Sequence, residues 1–270
     1  MQEGTKQLVS IEWHPEDHYA IVCFQNKPVN SFTLEMMQAV IDAIDQIEKT
    51  KGMNAIVFTS AVPKIFSAGL DLKSMYNVPE SQFEKFWSTL QRFFLKIYGC
   101  PLFTVALING QCFAGGCLFS LCCDYRVMQN VFKIGLNEAQ FGLVAPWWFI
   151  AAYENVIGKR QCEMHIQLGT LHTTEEALKI GLLDEVHQDL DAMSKSAILQ
   201  VKKWNKAHQE AKKQSKVLMR KELYEKLANG VKEDIAFAWK WINSQQTQAA
   251  LGVYLQSLQK KPQADRSSKL

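Results

Sequence analysis

The sequence predicts a layered α/β domain with a partly parallel sheet, followed by a helical region. Three observations carry this. Short β-rich runs, apolar on both faces, alternate with amphipathic helical stretches as far as about residue 146. Beyond that point the strand signal fades and the spacing of apolar residues is helical. No internal repeat or low-complexity tract interrupts the pattern. The 270 residues suffice for one large core, and 47% hydrophobic with 21% charged residues is an ordinary globular balance. The net charge of +3 gives no support to nucleic acid as a ligand. The longest apolar stretches, such as 143–153, run to about ten residues, which predicts no membrane span. Seven cysteines lie mostly in apolar runs, as reduced buried thiols do. With no CxxC and no close His pair, no metal site is expected.

The elements follow in order. LVSIEW (8–13) and YAIVCF (19–24) flank a His14-Pro15-Glu16-Asp17-His18 turn and read as a β-hairpin. In 33–50, Leu34, Met37, Val40, Ile41, Ile44 and Ile47 fall on one helical face, with Thr33 as N-cap. NAIVFTS (54–60) is a continuous apolar strand. Residues 81–98 are helical through Phe83, Phe86, Leu90, Phe93 and Ile97. Pro101 precedes the strand LFTVALI (102–108), and CDYRVM (123–128) and VFKIGL (131–136) are further short strands. After residue 146 three helices follow, the last with a Thr173/Glu176 capping box and Gly181 as its stop. Residues 190–260 are helical throughout. Between Lys195 and Lys226 ten Lys/Arg face three Glu, which suits a solvated face or a positive surface for a phosphorylated ligand.

Two loops stand out for chemistry. KIFSAGLDLKSM (64–75) follows the strand at 54–60, and NGQCFAGGCL (109–118) follows the strand at 102–108. Each puts glycine and small residues at a strand-to-helix turn, where α/β sheets collect ligands. Two such turns side by side can aim two backbone N–H groups at one carbonyl oxygen. Taken alone, each fits a phosphate cradle or a plain packing turn equally well. A third segment, IGLNEAQFGLVAP (134–146), places Glu138 among apolar residues. Such a carboxylate has its neutral form favoured, which suits proton transfer. A helix-capping role fits the same local sequence.

FSAGLDL (66–72), INGxxxAGGCL (108–118), DYR (124–126) and IGLNE-Q-G (134–142), in this order, resemble the crotonase (enoyl-CoA hydratase/isomerase) superfamily. PVNS (28–31) makes the similarity strongest to its mitochondrial-type enoyl-CoA delta-isomerases, and it covers roughly residues 8–260. The resemblance implies a spiral of ββα units over 1–190 with two nearly perpendicular sheets. It also implies a helical C-terminal trimerisation region over 191–260, and a homotrimer or dimer of trimers. Residues 261–270 are expected to be a mobile tail.

It further implies an acyl-CoA substrate, with CoA as part of the substrate and no separate cofactor. The Leu70 and Gly115 N–H groups would form the oxyanion hole, and Glu138 would be the catalytic carboxylate. Ala68, Gly69, Leu70, Asp71, Leu72, Gly115 and Asn137 would contact substrate. One departure selects the reaction. Hydratases of the superfamily carry a second glutamate two residues after the glycine pair, and here that position is Leu118. Adding water suits paired carboxylates, whereas moving a double bond from C3–C4 to C2–C3 needs one. Isomerisation of 3-enoyl-CoA to 2-trans-enoyl-CoA in fatty acid β-oxidation is therefore expected. A hydratase is the alternative within the superfamily, and a non-catalytic RNA-binding or scaffold protein the alternative outside it.

Several residues have simpler readings. Asp71 suits a loop-fixing role, and Asp124 and Arg126 are expected to pair locally. Trp147, Trp148 and Phe149 suit an acyl-tail wall, core or a subunit interface, while lone His165 suits packing. Lys64 and the C-terminal lysines are candidates for the CoA phosphates. Ser268-Lys269-Leu270 is the three-residue peroxisomal address, so the peroxisomal matrix and its import receptor are expected. MQEGTKQLVS shows no secretory or transit pattern.

Overall fold

Alternating side chains and a proline set the first hairpin. The computed structural model describes residues 7–260, so the 261–270 tail and its Ser268-Lys269-Leu270 address lie outside the described residues. Strands β1 (Val9–His14) and β2 (Tyr19–Phe24) pair antiparallel across a 3-10 turn at Pro15–Asp17. Helix α1 (Leu34–Lys49) begins where the Thr33 hydroxyl accepts from the Met36 N–H. Its Met37, Val40, Ile41, Ile44 and Ile47 stripe is buried.

The next elements repeat one pattern. β3 (Ala55–Ser60) is followed by β4 (Lys64–Ser67) and then α2 (Glu80–Tyr98). β5 (Phe103–Ile108) is followed by β6 (Gly110–Phe113) and α3 (Gly115–Cys122). β7 (Tyr125–Gln129) is followed by β8 (Lys133–Gly135) and α4 (Trp147–Ile157). Each pair gives its first strand to a six-stranded sheet, ordered β1-β2-β3-β5-β7 and closed by one later strand. The second strand goes to a four-stranded sheet that begins β4-β6-β8. This is the expected spiral of ββα turns.

α5 (Lys159–Leu168), β9 (His172–Thr173), α6 (Thr174–Lys179) and β10 (Glu185–His187) complete the sheets, β10 beside β7 and β9 antiparallel to β8. The capping box at Thr173 and Glu176 forms. α7 (Leu190–Asn205), α8 (Gln209–Asn229), α9 (Val231–Ile242) and α10 (Gln245–Lys260) make the helical C-terminal region. Among the described residues no helix is long and apolar enough to cross a membrane.

The six-stranded sheet is buried on both faces, which explains its unbroken apolar strands. One face, with Ala55, Val57, Val105 and Val127, is covered by Met193, Ala197 and Val201 of α7. The other face packs on the main core, where Phe119 of α3 meets Phe24, Phe58, Phe66 and Phe93. All eight residues of α3 are buried, so the run after the glycine pair is apolar because it threads the centre of the fold.

Three expectations need correction. Residues 64–67 and 110–113 are strands, not loop, so the glycine turns leave β4 and β6 rather than β3 and β5. Strands also persist after residue 146. β9 and β10 are two and three residues long, too short to give a periodic signal, and sheet pairing holds them. Asp124 and Arg126 do not pair: Asp124 bonds Lys216 (2.6 Å) and Arg220 (2.9 Å) of α8, and Arg126 bonds Asp184 (3.1 Å). The Asp124 carboxylate also accepts from the Thr104 N–H and hydroxyl, while the Arg126 guanidinium donates to the Cys123 and Leu182 carbonyls, so each is held by its own set of partners.

The C-terminal helices are fastened to the core by one buried carboxylate. Asp234 of α9 accepts from the indole N–H groups of Trp87, Trp147 and Trp148 at 2.8, 2.8 and 3.3 Å, and from Gln91 at 2.8 Å. Trp148 and Phe149 are thus core, and His165 packs edge-on against His172. Asp234→Ala leaves four donors without their acceptor. It is expected to cost about 3 kcal/mol, read as a lower urea midpoint, with Asp234→Asn losing less.

Candidate active site

β4, β6 and β8 are parallel neighbours, so their carboxyl ends and the turns that leave them lie side by side. The first two turns touch backbone to backbone. Gly69 has φ +95°, and a Cβ there would sit 2.8 Å from the Gly115 nitrogen and 3.0 Å from the Phe113 carbonyl oxygen. Only glycine fits both the conformation and the space. A Cβ on Gly116 would meet the Ser67 carbonyl oxygen at 2.5 Å, which seats α3 directly on the end of β4.

Two amides are left over. Phe32 N–H donates to Gly69 O (2.8 Å) and Asp71 N–H donates to Phe32 O (3.3 Å). This parallel bridge uses the groups on either side of Leu70, so the Leu70 N–H faces away from it. It finds no acceptor among the described residues. Gly115 opens α3, and its N–H belongs to the first turn that a helix leaves unpaired. The two lie close: a Cβ on Gly115 would be 3.2 Å from the Leu70 nitrogen. Ala114 joins β6 to α3 with φ +49° and ψ −121°, a conformation costly for any residue with a Cβ, of order 1–3 kcal/mol. Its N–H bonds Gly135 O (2.9 Å) and its carbonyl accepts from Leu118 N–H (3.0 Å).

The third turn supplies the acid. Glu138 begins a 3-10 helix, Glu138–Phe141, just after β8. It is 8% exposed, and its Oε2 is buried without a partner. Burial pushes its carboxyl up to about 7, against a weak opposing bond from its own backbone, and no neighbouring charge contributes. Asn137 beside it is buried, and its Oδ1 also lacks a partner. Leu118 is buried in the main core.

A cleft of about 870 Å³ opens over these turns, and Ala68, Leu70, Asp71, Leu72, Ala114 and Glu138 line it. Gly69, Gly115 and Asn137 are not on its wall: the two glycines lie in the contact just described, and Asn137 lies buried next to Glu138. Asp71 sits at the N-cap position of a 3-10 helix, Leu72–Met75, and its carboxylate accepts from the Ser74 hydroxyl at 2.9 Å, a loop-fixing role. Lys27 and Lys73 reach the cleft, whereas Lys64 and Trp147 to Phe149 do not. The sequence reading missed α10, which contributes Gly252, Tyr254, Leu255 and Leu258 to the wall. Its leucine spacing looks like any amphipathic helix, so no local signal marks it. Among the described residues no cluster of His, Cys, Asp and Glu could hold a metal ion.

Residues 17–263 match the Enoyl-CoA hydratase/isomerase family. The chain belongs to this family. Within it, enoyl-CoA delta isomerase 1, mitochondrial, of Mus musculus is 38% identical over 244 residues, covering 90% of this chain and 84% of that one. The Homo sapiens protein of the same name is 34% identical, covering 93% and 84%. The crystal structure of human mitochondrial delta3-delta2-enoyl-CoA isomerase superposes with a TM-score of 0.92 at 34% identity, over 94% of this chain and 99% of that one. An enoyl-CoA hydratase from Bacillus halodurans, 22% identical with a TM-score of 0.81, shares the fold.

The raised Glu138 carboxyl has a stability consequence. Its folded value, about 7, exceeds the ordinary 4.5 of the unfolded chain. Between those values the unfolded state releases its proton first, so stability present below pH 4.5 is lost as pH rises to about 7. Glu138→Gln is expected to raise unfolding free energy by up to about 3 kcal/mol at pH 8. At pH 4 it should change little. Denaturant titrations at the two pH values read the difference.

Proposed function

We propose that the protein is an enoyl-CoA delta-isomerase that converts 3-enoyl-CoA to 2-trans-enoyl-CoA in fatty acid β-oxidation. The observation that carries this is a buried carboxylate, Glu138, that lines one cleft with Leu70, whose unpaired amide lies against the Gly115 turn. The substrate thioester oxygen accepts from the Leu70 and Gly115 N–H groups. Glu138 takes a proton from C2, and the electron pair delocalises to give a dienolate whose charge rests on that oxygen. The same carboxyl then returns the proton to C4, and the double bond ends between C2 and C3. A base near pH 7 is ionised often enough to accept the proton and acidic enough to return it.

The hydratase alternative asks for a second acid near Glu138. Leu118 occupies that sequence position and is buried among apolar side chains. The scaffold alternative predicts a lost carboxylate or a blocked turn; Glu138 is present and lines an open cleft. CoA enters as part of the substrate, and Lys27 and Lys73 at the cleft suit its phosphates. A homotrimer or dimer of trimers is supported by apolar side chains left exposed on α8 and α9, among them Leu218, Met219 and Phe237. The Ser268-Lys269-Leu270 address supports the peroxisomal matrix, through the import receptor.

Three outcomes are expected. Glu138→Gln lowers isomerase turnover at least about a hundredfold while acyl-CoA still binds by calorimetry; near-normal turnover would sink the assignment. The acid limb of kcat/KM for the wild type falls near pH 7, because only the ionised Glu138 accepts the C2 proton. Product analysis shows conversion of 3-enoyl-CoA and little hydration of crotonyl-CoA.

A further inference from the structure

Behind the Leu70 turn lie three buried polar residues, Asn30, Ser60 and Ser67, and none of them lines the cleft. Their hydrogen bonds have a fixed direction. The Ser60 hydroxyl donates to Ile65 O (2.6 Å), nearer than Val62 O (3.3 Å). Its lone pairs therefore accept from the Asn30 side-chain amide (2.7 Å) and the Val62 N–H (2.9 Å). The same Asn30 amide donates to Phe66 O (3.0 Å). The Ser67 hydroxyl donates to Asn30 O (2.8 Å) and accepts from the Gly69 N–H (3.1 Å). Asn30 has φ +50°, a left-handed conformation that asparagine adopts more readily than most residues with a Cβ.

These bonds act on the peptide that carries the Leu70 N–H. In a planar trans peptide the N–H points opposite to the preceding carbonyl. The Phe32 N–H holds Gly69 O at 2.8 Å, so the Leu70 N–H is turned away from Phe32. On the other side of the Gly69 Cα, the Ser67 hydroxyl holds the Gly69 N–H. Glycine resists rotation about its own dihedrals less than any other residue, so these two anchors set the angle of the peptide. Both refer back to Asn30. Its carbonyl fixes the Ser67 hydroxyl, and its side chain ties the segment that presents Phe32 to β3 at Ser60 and to β4 at Phe66. Its N–H closes the same segment onto Asn26 O (2.7 Å).

We propose that Asn30 and Ser67 are positioning residues for the reaction: together they set the direction of the Leu70 N–H, and so how strongly the substrate thioester carbonyl is polarised, without touching substrate. The inference rests on the acyl-CoA isomerase reading of the cleft. A donor that is present but misdirected loses part of its hold on the oxyanion, and a displacement of about 1 Å at a reacting centre costs up to about a hundredfold in rate. Glu138 stands on a different turn, after β8, so its proton affinity is left alone.

Four variants are compared with wild type. Ser67→Ala frees the Gly69 N–H, and Ser67→Cys replaces the hydroxyl by a weaker acceptor of similar shape. Asn30→Gly tolerates the left-handed backbone and removes the side-chain amide. Thr104→Val is the control: it deletes a buried hydroxyl bonded to Asp124 at the start of β5. Kinetics with a 3-enoyl-CoA are combined with infrared difference spectra of bound hexanoyl-CoA carrying carbon-13 at the thioester carbonyl. Ser67→Ala and Asn30→Gly are expected to lower kcat at least about tenfold with KM within about threefold of wild type. They should leave the acid limb of the pH profile in place and return the bound carbonyl stretch toward its value in free solution. Ser67→Cys should fall between wild type and Ser67→Ala, and carries the test should Ser67→Ala fail to fold. Thr104→Val should match wild type in every readout. A carbonyl stretch unchanged in the Ser67 and Asn30 variants, or a loss confined to KM, overturns the proposal. Wild type that turns over no 3-enoyl-CoA but shifts the stretch of bound hexanoyl-CoA, with that shift lost in the variants, overturns the isomerase reading and leaves the positioning role standing.

Discussion

The contact between Gly69 and Gly115 is backbone against backbone, and the geometry of the cleft follows from it. Side chains pack at distances that leave room for rotamers and small shifts. Here a single added carbon would lie 2.8 Å from an amide nitrogen, so the spacing of the two turns is fixed by the chain itself. Parallel pairing of β4 with β6 brings the turns together, and the Phe32–Leu70 bridge orients one of them. The strained Ala114 turns the chain from β6 straight into α3. Because α3 threads the packed core, this strain is over-determined by the surroundings rather than relieved. The unpaired Leu70 amide is thus held at the cleft, with the Gly115 turn against it, at the expense of local backbone comfort.

Glu138 extends the same economy to charge. A carboxylate drawn out of water normally recruits a cation, as the half-buried Asp124 does with Lys216 and Arg220. Asp234 is instead held by four neutral donors. Glu138 has neither arrangement: its Oε2 is unpartnered and burial alone sets its proton affinity. A cation would stabilise the ionised form and weaken it as a base, and a second carboxylate would invite water. The apolar neighbourhood keeps the proton exchangeable near neutral pH, and the carboxylate lines the cleft.

The long periodic elements were legible in the sequence. α1, α2, β3 and β5 lie within a residue or two of their expected ends because apolar spacing, the Thr33 cap and Pro101 act locally. Glu138 and Leu70, both named from the motifs, line one cleft, whereas Gly115 lies against the Leu70 turn and off the wall. β4, β6, β9 and β10, two to four residues long, escaped, since pairing partners far along the chain stabilise them. Asp124 and Arg126 were mispaired for the same reason: their true partners lie on α8 and at Asp184. An amphipathic stripe shows that a helix face is covered, and is silent on whether protein or ligand covers it. α10 carries both cases along one stripe.

Beyond residue 190, α10 consequently lines the cleft as well as packing on the core. Asp234 ties α9 to α2 and α4 inside the core, and the short connection at Asn243–Ser244 leads at once into α10. Gln248 then bonds α10 to the segment after Leu72–Met75, which itself follows the Leu70 turn. Hydrogen bonds thus fasten α9 to the tryptophans of the core and α10 to the segment that follows the Leu70 turn. The same helix face thus closes the core at Leu251 and bounds the cleft at Tyr254, Leu255 and Leu258.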